Sequence, residues 1–247
     1  MKKIVVVGAT SLMAETCARI WLGREPSTLV LMGRRPEGLD RVAADLKVRS
    51  PQSDIQTFSG DLTEVQSIMA LVKKACEGGV PDVVLIAHGS LPEQSACEED
   101  LSLCEDTLRV NGVSPVLWAE AFIGPMQSAN QGTLGILGSV AGDRGRQSNY
   151  VYGAAKGLVS RYAEGLQHRL SGTKVRVVLI KPGPTDTPMT TRFKADGMKL
   201  APVETVAEGI VRAMDLGTPV AYLPAKWGLI MTVIRHLPRF IFNHLKI

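Results

Sequence analysis

Cysteine is scarce in this chain. Four residues, Cys17, Cys76, Cys97 and Cys104, occur among 247. None forms a Cys-x-x-Cys pair, and no histidine stands near them at ligand spacing, so the pattern gives no metal site and no disulfide framework. Reduced thiols in a cytoplasmic protein are the expectation. No apolar run reaches the roughly 20 residues that span a bilayer. The apolar stretch after Met1-Lys2-Lys3 stops at Val7, before Gly8, with no cleavage pattern beyond it, and reads as a strand rather than a signal peptide. A dense Lys/Arg stripe is missing from the first two hundred residues, and the net charge is only +4, which argues against nucleic acid as a partner. Repeats, low-complexity stretches and linkers are also missing, so one domain over residues 1–247 is expected, with 224–247 as a C-terminal extension.

What is present is a globular composition, 45% hydrophobic and 21% charged. Strand and helix signals alternate along it. Short β-branched or apolar runs at 3–7, 28–32, 55–58, 83–87, 133–137, 175–180 and 220–223 read as strands. Helical patterns fall between them: from the first turn through Leu22, at 39–48, at 65–76, one long helix at about 99–126, then 151–170 and 203–214. A polar loop is expected at 88–96. Such alternation predicts an α/β Rossmann-type doubly wound parallel sheet of about seven strands, with helices on both faces.

Two places in this pattern carry chemistry. Tyr152 and Lys156 lie four apart on the 151–170 helix, whose apolar stripe is read as Leu158, Tyr162, Leu166 and Leu170. The spacing puts phenol and ammonium on one helix face, where the positive charge favours the phenolate and draws its pKa down toward the working range. Ser139 follows the 133–137 strand, at the sheet edge where open α/β folds bind ligands. A tyrosine and lysine four apart are, on spacing alone, more often an ordinary helix surface. The second place is the first turn, Gly8-Ala9-Thr10-Ser11, between strand and helix. It aims backbone N–H groups and a helix dipole at one point, suited to a pyrophosphate, and Ser11 is placed to cap the helix.

Over nearly its whole length the sequence resembles the short-chain dehydrogenase/reductase family. The resemblance rests on the glycine turn, Asp61, Gly89, Asn111, Ser139, Tyr152-x-x-x-Lys156 and Pro182-Gly183, in the family's order and spacing. It implies an enzyme in which Tyr152 is the general acid in reduction and the base in oxidation. Lys156 would lower the Tyr152 pKa and hold the nicotinamide ribose, Ser139 would orient the substrate oxygen, and Asn111 would hold a water leading from Lys156 to solvent. The implied cofactor contacts are Gly8, Thr10, Ser11, Leu12 and Met13 in the first turn, Asp61 and Leu62 at the adenine, and Ala87, His88 and Gly89 after the fourth strand. Tyr152, Lys156, Pro182, Gly183 and Thr187 complete the set at the nicotinamide end. No metal is implied, and a homo-oligomer, dimer or tetramer, is expected by analogy.

The chain departs from the family pattern in the first turn, where Leu12 and Ala14 stand in place of two glycines, and after strand four, which reads Ile86-Ala87-His88-Gly89. Strand two ends in Gly33-Arg34-Arg35 with no acidic residue to take a ribose 2′-hydroxyl. Arg34 suits the 2′-phosphate of NADP(H), which is favoured over NAD(H).

No acidic residue follows Asp215, while Lys226, Arg235, Arg239 and Lys246 are positive and Trp227, Phe240, Ile241 and Phe242 apolar. Such a terminus fits contact with a membrane surface, hence a cytoplasmic protein at the inner membrane face. It equally fits a subunit interface or a helix packed over the active site. The segment 87–94, the lost turn glycines and the terminal Trp-Gly-Leu-Ile-Met pattern resemble a subgroup, the decaprenylphosphoryl-keto-ribose reductases. That resemblance implies a 2-keto sugar on a polyprenyl phosphate as substrate. A soluble ketone or 3-oxoacyl substrate is the alternative within enzymes. A non-catalytic nicotinamide-binding sensor or scaffold is the alternative outside them, and a peripheral membrane adaptor is a further one.

Overall fold

A computed structural model describes residues 1–245. Lys246, counted above among the basic residues of the tail, lies outside them. Seven strands, β1 (Lys2–Val7), β2 (Ser27–Gly33), β3 (Asp54–Ser59), β4 (Val83–Ile86), β5 (Thr133–Leu137), β6 (Arg176–Pro182) and β7 (Val220–Leu223), form one sheet in the order β3-β2-β1-β4-β5-β6-β7. Every neighbouring pair is parallel. Parallel strands need long crossovers, and helices supply them. Successive side chains of a strand point to opposite faces. Ile4 and Val6 of β1 therefore enter one core, with α1 (Leu12–Arg24), α2 (Pro36–Arg49) and, later in the chain, the helix at Val203–Leu216. Val5 and Val7 enter the other, with α3 (Val65–Cys76) and the helices at Ser114–Ala129 and Tyr150–Arg169. Burial on both faces is why the strands read as unbroken apolar runs.

The long helix expected at 99–126 is divided. The chain forms α4 (Gln94–Glu99), α5 (Leu101–Leu108), a wide π-turn at Arg109–Val113 and α6 (Ser114–Ala129). Asp100 ends α4 and begins α5, its carboxylate accepting from the Ser102 amide at 2.8 Å. The π-turn carries Asn111, whose Nδ2 donates to the Thr107 carbonyl at 2.9 Å. An apolar periodicity that persists across both breaks concealed them. The 88–96 loop is correspondingly shorter, since Gln94 already starts α4.

The helix bearing Tyr152, α7 (Tyr150–Arg169), buries Leu166 and Leu170 as expected and packs Tyr162 partly buried against the core, but the expected stripe fails at Leu158. Leu158 is 45% exposed, whereas Ala155, Val159, Ala163 and Leu166 are buried. Small residues win because α7 lies close against the π-turn: a Cβ on Gly112 would sit 3.2 Å from the Ala155 backbone.

A short α8 (Thr191–Ala195) and α9 (Val203–Leu216) precede β7; α10 (Lys226–His236) and α11 (Arg239–Phe242) end the described chain, separated at Pro238. The Arg144 guanidinium holds this tail against the sheet. It donates to the Leu237 carbonyl at 2.7 Å and to that of Ile234, and lies 3.7 Å from the centre of the Phe242 ring. Trp227 of α10 packs on Gly183, where a Cβ would fall 2.0 Å from the indole nitrogen.

Candidate active site

The order of the sheet reverses direction between β1 and β4, and a crevice opens beyond their carboxyl ends. Gly8 follows β1 with φ +79°, and a Cβ there would lie 2.6 Å from the His88 backbone after β4. The two loops approach each other closely enough that only glycine fits this turn. Beyond them α1 begins at Leu12. Ser11 stands in the N-cap position, but its side chain makes no capping bond, contrary to expectation. The first-turn amides of α1 therefore lack a side-chain partner and face the crevice.

A cavity of about 270 Å³ lies here. Gly8, Thr10, Ser11, Leu12, Met13, Arg34, Leu62, Ala87, His88, Gly89 and Thr187 all line it. A second chamber of about 120 Å³ shares Ser11, Met13, Ala87, His88, Gly89 and Thr187 with the first. It adds Asn111, Ser139, Tyr152, Lys156, Pro182 and Gly183. Of the residues singled out from sequence, Asp61 alone lines neither chamber. It is exposed, and its carboxylate accepts from the amide and the hydroxyl of Thr63, both at 2.7 Å, which hold its pKa below the usual carboxylate range. Thr63 itself lines the first chamber, as do Arg35 and Val110. Arg34 and Arg35 are exposed at this wall, and among the described residues neither forms an ion pair.

In the second chamber Ser139 caps a short 3₁₀ turn, Val140–Asp143, its hydroxyl accepting from the Ala141 amide at 3.1 Å. Lys156 is 3% exposed; its Nζ donates to the Leu137 carbonyl at 2.9 Å and stands 5.8 Å from the centre of the Tyr152 ring. The expectation that Lys156 draws down the Tyr152 pKa is corrected by this geometry. Burial pushes the phenol up to about 12, and the Ser139 hydrogen bond offsets only part of that. Burial likewise pulls Lys156 down to about 8. Both groups are dehydrated together, and loss of water disfavours each charged form.

Asn111 is fully buried. Its Oδ1 accepts from the Ser90 amide at 2.9 Å and its Nδ2 donates to the Thr107 carbonyl and the Ser90 hydroxyl. It braces the loop after β4 against the π-turn. One Oδ1 lone pair is left for the water-holding role expected of it.

His88 shows what its place in the altered loop costs. The Ser114 hydroxyl donates its only proton to the Leu62 carbonyl, so the His88 Nε2–H must be the donor in the 2.8 Å bond to Ser114. Nδ1 is left bare, buried and unpartnered. Protonating it would bury a charge, also close to the cations Lys156 and Arg34, and the pKa falls to about 3. The unfolded chain binds this proton below about pH 6.5 while the folded chain refuses it, so stability is full above that pH and drains as pH falls toward 3. Between pH 6.5 and 5 this site alone removes about 2 kcal/mol. Urea midpoints at pH 7 and pH 5 will show a smaller loss in His88→Gln than in the wild type. Equal losses would remove His88 as the cause.

The arrangement combines an anion-accepting turn, two free arginines beside it, and a buried phenol and ammonium at the far end. It defines a nucleotide-binding oxidoreductase of the doubly wound class, and the chain belongs to the short-chain dehydrogenase family, whose model matches residues 2–197. It is 30% identical to an uncharacterized oxidoreductase of Mycobacterium tuberculosis over 98% of this chain and 96% of that one. It is 28% identical to another from Streptomyces coelicolor, over 99% and 96%. Among solved structures, a short-chain dehydrogenase from Sphingobium yanoikuyae in complex with NADPH superposes with a TM-score of 0.80, at 20% identity and 97% coverage of both chains. Levodione reductase superposes at 0.81, with 18% identity, over 90% of this chain and 95% of that one. At these identities the structural likeness is one of fold.

Proposed function

We propose that this protein reduces a ketone to a secondary alcohol, with NADP(H) preferred over NAD(H). The observation that carries the reading is the cavity itself: it runs from unpaired Arg34 and Arg35, past the open first turn of α1, to Tyr152, Lys156 and Ser139. The residues fit a dinucleotide phosphate. Gly8 and the uncapped amides suit a pyrophosphate, and Arg34 suits a 2′-phosphate; a solved structure of the same fold is a complex with NADPH. Bound there, the cofactor would supply the hydride.

The protein's part is the proton. With its pKa near 12, Tyr152 stays protonated across the physiological range and is a standing acid beside Ser139, where a substrate carbonyl oxygen would lie between them. As negative charge grows on that oxygen, the phenol proton transfers to it and Ser139 holds the oxygen in line. The Lys156 ammonium beside the ring lowers the cost of the phenolate left behind, and with a pKa near 8 it can return a proton.

The substrate reading is a 2-keto sugar on a polyprenyl phosphate, from the subgroup resemblance. Its structural support is that His88, Gly89 and Leu91 of the resembling segment line the second chamber. The tail adds to it: α10 packs on Gly183 while Leu229 is 74% and Phe240 72% exposed, in a stretch whose charged residues are all basic. That apolar, cationic surface suits anionic lipid, and such binding would bring the active site beside the membrane. Among the described residues no helix is long and apolar enough to cross a membrane.

The test is cofactor oxidation by the full chain, with the lipid-linked keto sugar in anionic vesicles against soluble cyclic ketones. NADPH should exceed NADH by about tenfold or more in kcat/KM, the yield of one charge-assisted contact. The protein should sediment with anionic and not with neutral vesicles. Turnover of soluble ketones alone would replace the lipid-linked substrate. A dimer without vesicle binding would give the tail to a subunit interface. No turnover with any ketone would end the reductase reading.

A further inference from the structure

Three arginines lie on the segments that contribute to the second chamber, and two of them are spent. Arg144 is bound to the carbonyls of Ile234 and Leu237 and lies against Phe242. Arg192 pairs with Glu93 at 3.1 Å and donates to the Pro92 carbonyl. Arg146 is different. It lines the chamber with Ser139 and Tyr152, and its Nε is buried with no acceptor. Among the described residues its guanidinium has neither an ion pair nor a hydrogen-bonded partner. Three residues on, across a turn closed by the Asn149 amide and the Arg146 carbonyl, Asn149 Oδ1 also lines the chamber, buried and unpartnered. Leu91, Met189 and Phe193 make the opposing walls apolar.

A half-buried cation with no acceptor among the described residues costs stability. Its burial already pulls the Arg146 pKa below the usual guanidinium value, with Asp143 only partly opposing. A planar fork of donors, in a chamber of low polarity, matches the two oxygens of an oxyacid.

We infer that Arg146 receives an anionic oxygen group of the substrate, carboxylate or phosphate, so that the ketone reduced by this protein carries a negative charge. Asn149 Oδ1 is placed to accept from a hydroxyl of the same molecule. The inference rests on the reductase reading and narrows it: the anion selects the substrate, and Tyr152 and Ser139 act on its carbonyl.

The test uses paired ketones with the full chain and NADPH: 2-oxo, 3-oxo and 4-oxo acids against their methyl esters, and dihydroxyacetone phosphate against dihydroxyacetone. The wild type should favour the charged member of at least one pair by about 10–100-fold in kcat/KM. The carboxylate and phosphate arms tell which oxyacid is read. Arg146→Met should collapse that ratio to within about threefold, and Arg146→Lys, a point charge without the fork, should restore part of it. A second readout does not depend on turnover. Phenylglyoxal labelling of Arg146 in the wild type, mapped by peptide mass, should be slowed by the charged ketone and not by its neutral partner. Equal kcat/KM within every pair, or equal losses for both members in Arg146→Met, would overturn the inference, as would labelling indifferent to the anion. Protection without reduction of any ketone would instead sink the reductase reading and leave the anion site standing.

Discussion

Replacing Tyr152 with Phe will lower kcat for ketone reduction by about 10²–10⁴-fold, the range for loss of a positioned general acid. The ring is kept, so the packing around α7 and the wall facing Lys156 stay as they are, and the affinity for NADPH should change by less than about threefold. What disappears is one proton at one oxygen. In the wild type that proton is held firmly, because burial pushes the phenol to about 12. The base-side limb of the reduction profile should then belong to Lys156, near pH 8, rather than to Tyr152. Reduction falls above that pH because the ammonium that eases phenolate formation is lost. Stopped-flow measurement of NADPH oxidation, with cofactor binding followed separately by fluorescence, separates chemistry from binding. A Tyr152→Phe enzyme within threefold of wild-type kcat would exclude the phenol as the acid.

The second large effect falls on stability. Asp143 ends the turn that starts at Ser139, and its carboxylate is 1% exposed. It pairs with the equally buried Lys181 at 2.6 Å and accepts from the Tyr222 hydroxyl at 2.7 Å. This group ties the Ser139 turn to β6 and β7. Asp143→Ala leaves the Lys181 ammonium in the interior with no counter-charge, which costs about 3–5 kcal/mol. For a chain of this size that is a drop in Tm of roughly 10 °C. Adding Lys181→Met should recover most of the loss, since an apolar pair of similar volume removes the stranded charge. Calorimetry on the single and double variants checks both statements. A single variant within 1 kcal/mol of wild type would show that Lys181 finds water or another partner when Asp143 is gone.

Much of the architecture could be read from residue order, because its cause is local. The 65–76, 133–137 and 220–223 elements appear in the structure at the bounds their periodicity implied. The four-residue spacing of Tyr152 and Lys156 follows from helix geometry, and Gly8 from the turn it must make. The misreadings share a different cause. Leu158 looked like a core residue by period, but the close approach of the π-turn selects the smaller Ala155 and Val159 for the interior. The breaks at Asp100 and Arg109 were hidden because apolar spacing continues through them, while the side-chain bonds of Asp100 and Asn111 that shape them leave no periodic trace. Arg146 carried no motif at all; only the fold brings that loop residue to the chamber wall.

Chain order alone therefore determined the alternation of strands and helices, the parallel sheet, and the roster of groups able to handle a proton and a phosphate. These follow from spacing along a backbone whose geometry is fixed by its own sterics. The tertiary structure decided which of those groups lose their water and which lose their partners. It made Tyr152 a stronger holder of its proton, Lys156 a weaker one, and His88 a ring that stays neutral well below the usual imidazole range. It also left Arg146 unpaired beside the catalytic hydroxyls. Desolvation and pairing depend on atoms distant in sequence, so no local pattern encodes them.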